Sequence, residues 1–130
     1  MKALFIFAAL GAGLTAAAAF AATETPAGKS CFYASQWSGW KAPNVNTMYM
    51  RMKNRDVYEV GFASGCRAIR YTNAFLVSVG RGQGATCTAN DLDIRVAEEN
   101  GRMAPQSCIA TSLRKLSAEE SAALPEKDRP

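Results

Sequence analysis

The chain has no histidine. That absence removes the Ser-His-Asp triad, the imidazole zinc ligand and the histidine pH switch together. Cysteine is scarce, at four residues, and none forms a C-x-x-C pair. Cysteine-only metal sites normally use such close pairs, and here neighbouring cysteines are at least 21 residues apart. Strong charge of one sign is also missing. The 15 Lys plus Arg stand against 11 Asp plus Glu, a net charge of +4. A balance that weak, spread along the chain, does not mark a nucleic-acid binder. Beyond residue 21 no apolar run is long enough to cross a bilayer. At 130 residues one domain is expected.

What is present begins with Lys2 and an apolar run from Ala3 to Phe20, the pattern of a secretory signal peptide. Ala19 and Ala21 supply small residues at the −3 and −1 sites, so residues 1–21 are expected to be removed after Ala21. An uncleaved anchor is the alternative reading. Residues 22–30 contain Pro26 and Gly28 and read as a flexible leader. Export to a bacterial periplasm, or beyond it, places Cys31, Cys66, Cys87 and Cys108 in an oxidising compartment, where four cysteines suggest two disulfides. Three pairings are possible. The favoured one joins Cys66 to Cys87 across a central excursion and Cys31 to Cys108, first strand to last. Closing those loops would stabilise by roughly 3.4 and 4.5 kcal/mol in the chain-entropy account.

Strand signals fill residues 31–113. Cys31–Ala34 is apolar and aromatic, and Trp37-Ser38-Gly39-Trp40 follows, leading to a turn-rich Ala42-Pro43-Asn44. Met48, Met50 and Met52 alternate with Tyr49, Arg51 and Lys53, which puts the methionines on one face and the aromatic and cations on the other. Asn54-Arg55 reads as a tight turn into Asp56–Phe62, making a hairpin. Phe75, Val77 and Val79 are expected to share an inward face, as are Leu92, Ile94 and Val96. A last strand is expected around Cys108 and Ile109. Ser117-Ala118-Glu119-Glu120 is a capping box opening a short helix that Pro125 stops, and residues 125–130 read as a disordered tail. The fold class is mainly β: about six antiparallel strands and a short C-terminal helix within residues 31–124. A small barrel, OB-like, is the first choice of architecture, and a sandwich is the second.

These residues resemble a family of small exported bacterial proteins known only as a domain of unknown function. The resemblance covers roughly residues 31–124. It rests on Cys31-Phe32 with the aromatic-glycine segment after it, Val57-Tyr58-Glu59-Val60, Gly65-Cys66, Cys87 with Asp91-Leu92-Asp93-Ile94, and Cys108 leading to Leu113–Glu120. It implies export and a disulfide-linked β-rich domain. It implies no activity, and no catalytic residue can be carried over.

Several residue groups could carry function. Trp37 and Trp40 could form a stacking platform for a sugar or peptide, although completing a small core is the commoner use of such a pair. Tyr49 with Arg51, Lys53 and Arg55, joined by Arg67 and Arg70, could form a basic patch for an anionic envelope component; the plain reading is a solvated sheet face. Gly80–Gly84 lacks the ending of a phosphate loop and reads as a turn. Asp91 and Asp93 on one strand face would lie about 7 Å apart, within the roughly 5–9.5 Å used by glycosidase carboxylate pairs. With Glu98 and Glu99 they also offer oxygen ligands, but without EF-hand spacing. No catalytic constellation, cofactor motif or metal site emerges. The expectation is a non-enzymatic envelope accessory or binding module, with an envelope protein or anionic envelope component as partner and no nucleic acid. The alternatives are a small envelope-acting hydrolase using carboxylates and an inhibitor of exported hydrolases.

Overall fold

The computed structural model describes residues 30–130. The signal peptide expected at 1–21 and nearly all of the leader expected at 22–30 lie outside the described residues. Nine strands form three antiparallel sheets. A four-stranded sheet contains β2 (Trp37–Asn44), β3 (Thr47–Met52), β4 (Val57–Gly61) and β9 (Ser112–Lys115), in that order. A three-stranded sheet runs β5 (Ala74–Gly80), β7 (Leu92–Glu98), β8 (Gln106–Cys108). The third sheet pairs only β1 (Phe32–Tyr33) with β6 (Ala85–Thr86). The sheets do not close on themselves among the described residues, so the arrangement is sandwich-like and the barrel expectation is corrected.

The β3–β4 hairpin forms where alternation is unbroken. Met48, Met50 and Met52 are buried, and Val60 and Tyr58 lie opposite Met48 and Met50 in the ladder. Leu92, Ile94 and Val96 supply the inner face of β7. Between the sheets these side chains make one core with Phe62, Ile69, Leu76 and Val79. Phe32 enters it from β1, its ring centroid 4.8 Å from that of Tyr58. Burying such side chains stabilises by about 1.5–3 kcal/mol each relative to exposure.

Three local expectations give way. Phe75 and Val77, expected inward, are 41% and 51% exposed and Leu76 is buried instead, whereas Val79 is buried as expected. The β5–β7 register shifts between Leu76 and Ser78, and an extra residue in one strand reverses the alternation beyond it. The expected last strand is two strands in different sheets, β8 and β9, with Ile109 82% exposed between them. And β2 is a full eight-residue strand despite Gly39 and Pro43. It is an edge strand with two register shifts, the position where a sheet tolerates proline.

The disulfides are Cys31–Cys87 and Cys66–Cys108, not the pairs favoured from sequence. The β1–β6 register explains the first: Phe32 faces Thr86 and Tyr33 faces Ala85, so Cys31 and Cys87 meet one step further along, with Cα atoms 4.2 Å apart. The second ties the loop after β4 to the end of β8, and so links the two larger sheets. Two disulfides fit an oxidising extracellular or periplasmic environment.

Helix α1 (Ala118–Ala123) starts as its capping box requires. The Ser117 Oγ accepts from the Glu120 N–H at 3.1 Å, and the Glu120 carboxylate accepts from the Ser117 N–H at 2.8 Å. The tail, expected to be disordered, instead makes a 3-10 turn at Glu126–Asp128. The Arg129 guanidinium donates to the Ala122 and Leu124 carbonyls at 2.8 and 2.9 Å, which satisfies acceptors at the helix C-terminus. The 3-10 turn contacts β2, so the C-terminal segment runs from β9 at one edge of the four-stranded sheet to β2 at the other.

Candidate functional site

The outward face of the four-stranded sheet has two cross-strand rows. One aligns Lys41, Tyr49, Glu59 and Arg114, residues paired in register across all four strands. Arg114 and Glu59 pair within it. Arg114 bridges Glu59 at 3.6 Å and Glu120 at 2.6 Å, fastening α1 to the sheet. The Glu120 carboxyl is held below its usual range, first by the Ser117 backbone N–H and then by Arg114. Burial pushes the Tyr49 phenol up, and the negative charges of Glu59 and Asp128 add to the effect. Asp128 acts there because the C-terminal segment lies over this face.

The second row aligns Gly39, Arg51 and Val57. Beside it lies an open cleft of ≈ 530 Å³. Arg51, Lys53, Arg55 and Arg129 line it together with Ser38, Met52, Val57, Ser121 and Pro130, whose terminal carboxylate lies at the same cleft. No Asp or Glu side chain contributes to its lining. Among the described residues none of these four cations makes an ion pair.

Each cation is set by local structure. Arg51 leaves β3 on the face opposite the methionines, and its Nη2 would be in ordinary van der Waals contact, at 3.7 Å, with a Cβ placed on Gly39. The Ser38 Oγ donates to the Arg51 carbonyl at 3.0 Å. Lys53 and Arg55 sit on the hairpin turn. That turn is pinned by Met52 N–H to the Asp56 carbonyl and Arg55 N–H to the Met52 carbonyl, both 2.9 Å, and by Lys53 N–H to the Gln36 carbonyl at 2.7 Å. Arg55 adopts φ +74°, a left-handed conformation that bulky residues rarely occupy. Arg129 is held at the end of α1 by its two carbonyl contacts. A second, wider groove adjoins the cleft and shares Arg55, Val57, Ser121 and Arg129 with it. Asn54, Asp56 and Ser117 add donors and acceptors there, and Lys115 pairs with Asp56 at 2.8 Å.

Of the residues singled out by sequence, Arg51, Lys53 and Arg55 are brought together. Tyr49 lies in the neighbouring row. Arg129 was missed because it falls in the segment read as tail; its signal was a cation shortly after a proline-stopped helix, where helix carbonyls need donors. Arg67 and Arg70 are on a 3-10 turn apart from the cleft, and Arg70 donates to the Ala42 carbonyl at 2.5 Å. Trp37 and Trp40 are half-buried against the core, opposite Met52 and Met50. The register shift at Ser38 lets residues three apart share that face. The Trp37 indole N–H is buried without a partner among the described residues.

The acidic candidates do not converge on a cleft. Asp91 ends a 3-10 turn and accepts from the Cys87 and Thr88 N–H groups, at 3.0 and 2.9 Å, and from the Thr88 hydroxyl. Those backbone donors, foremost Cys87, hold its carboxyl below the usual range. Asp93 faces Arg95 at 3.4 Å. Among the described residues no group of three or more Cys, Asp or Glu is placed to hold a metal ion. No helix among them is long and apolar enough to cross a membrane. Comparison with protein-family models, with characterised proteins and with solved structures found no match for the chain.

Proposed function

We propose that this chain is an exported, non-enzymatic binding module of the bacterial envelope, which recognises an anionic partner through the cleft at the β3–β4 hairpin. One observation carries the reading: Arg51, Lys53, Arg55 and Arg129 converge with no acidic side chain in the lining. Four cations against one carboxylate, that of the terminal Pro130, leave a positive surplus that raises the local potential and attracts an anion. The signal-peptide pattern at residues 1–21, cleavage after Ala21, and the resemblance to the exported domain of unknown function belong to the same proposal. The carboxylates that a hydrolase would use are engaged elsewhere, Asp91 as a turn cap and Asp93 with Arg95. The loop an inhibitor would present, Gly80–Gly84, is a tight turn with Gly82 at φ +67° rather than an extended segment.

The test is capture from native envelope extract by the oxidised domain. The Arg51→Gln/Arg55→Gln variant should stay folded and lose the partner, and raised salt should release the partner from the native protein. A partner held equally by both proteins at all salt concentrations would sink the reading. A Trp37→Ala/Trp40→Ala variant, if folded, should retain it.

A further inference from the structure

We infer that the group this cleft takes is a phosphoryl dianion, carried by a phosphate monoester or a pyrophosphate. The inference rests on the reading just given and names its ligand chemistry. Charge comes first. Four cations stand against the terminal carboxylate of Pro130 and no Asp or Glu side chain among the described residues, and the surplus is poorly balanced by a single further negative charge. Among common ester oxyanions the phosphate monoester carries about −1.5 to −2 at neutral pH. Shape comes second. The donors approach from separate elements: Arg51 from the sheet, Lys53 and Arg55 from the hairpin turn, Arg129 from the C-terminal segment. A planar carboxylate offers two oxygens in one plane, whereas a terminal phosphoryl offers three pointing apart, which suits arginine forks arriving from different sides. Size comes third. A cleft of ≈ 530 Å³ holds a headgroup or small ester. The adjoining groove, with Asn54, Asp56 and Ser117, provides the mixed donors and acceptors that a hydroxylated ester body would use.

An independent observation comes from the backbone. Arg55 is one of only two non-glycine residues with positive φ among the described residues, and its side chain lines both grooves. Glycine or asparagine would fit that turn position without strain. An arginine there makes the fold less stable while aiming a cation at the cleft, the pattern expected when binding sets the residue.

The experiment is isothermal titration of the oxidised domain with pyrophosphate, glucose 6-phosphate and citrate at matched ionic strength. Phosphatidic acid vesicles are assayed by sedimentation. Pyrophosphate and glucose 6-phosphate should bind at least tenfold more tightly than citrate. Arg51→Gln should weaken both by tenfold or more. Arg55→Gly should raise the melting temperature and still weaken binding, which a merely structural arginine would not do. Binding to the vesicles as well would place the phosphoryl group on a lipid headgroup, and binding to the free ester alone would place it on a soluble molecule. Citrate binding as tightly as pyrophosphate, with Arg51→Gln abolishing both, would overturn the phosphoryl assignment and leave the anion-binding module intact. No binding of any anion, or binding indifferent to Arg51→Gln, would overturn both.

Discussion

Val57 and Val77 both point outward from a sheet, yet Val57 is 6% exposed and Val77 51%. Val57 belongs to the four-stranded sheet, whose outward face carries Tyr49, Arg51, Glu59 and Arg114 and lies under the C-terminal segment. Val77 belongs to the three-stranded sheet, whose outward face leaves Phe75 and Val77 in solvent. The face that the C-terminal segment overlies carries charged side chains, several of them still exposed, and the uncovered face sets Phe75 and Val77 beside the Asp93–Arg95 pair. Side-chain chemistry therefore does not decide which face is buried here. The ion pairs of Arg114 and the anchoring of Arg129 do, because they draw α1 and the following turn across a polar surface. A polar face under cover is where a cleft with unpaired cations can form.

The comparison is broken most severely by separating the sheets. Removing the Cys66–Cys108 bridge by a double serine substitution should cost about 4 kcal/mol by loop entropy, and denaturant unfolding measures it. Met50→Ala, in the core shared by both sheets, should cost about 3 kcal/mol and leave the disulfides intact. The valines give the sharpest contrast. Val57→Ala should cost about 1–2 kcal/mol, and Val77→Ala should stay within about 0.5 kcal/mol of the native protein. Equal losses at both sites would mean that the C-terminal segment does not cover its sheet in solution.

The smallest effect is pH-dependent. Asp91 has a folded-state pKa below its unfolded one. Its contribution is therefore full above the ordinary aspartate range and disappears as pH falls through the folded value. Thermal melts from about pH 6 down to about pH 2 should show Asp91→Asn losing part of the acid-side decline, with the neutral-to-alkaline limb of the pH profile unaltered in shape. An acid limb as steep as the native one would mean that the Cys87 and Thr88 N–H groups do not hold the carboxylate.

The β3–β4 hairpin was legible because its period of two is unbroken, and with it came Arg51, Lys53 and Arg55. The capping box at Ser117 was legible because its chemistry is local. β2 was not, because Gly39 and Pro43 are breakers whose tolerance depends on lying at a sheet edge. β5 was read with the wrong face at Phe75 and Val77 and the right one at Val79, because one extra residue near Val77 reverses the alternation between them. The disulfide pairing depended on two two-residue strands meeting across more than 50 residues, for which no periodic signal exists. Three of the cleft's four cations were visible for a similar reason: the hairpin cations are neighbours in sequence, whereas Arg129 arrives only through the path of the tail.

The two bridges interleave, first cysteine to third and second to fourth. A chain threaded through a channel from its N-terminus and oxidised as it emerges would present Cys31 and Cys66 together before Cys87 appeared. The first bond available is then a wrong one, and reaching the native pairs requires it to be broken and remade. Exported in the way proposed above, this small domain should depend on a thiol-disulfide shuffling catalyst for its maturation, whereas a protein whose cysteines pair consecutively needs only an oxidant.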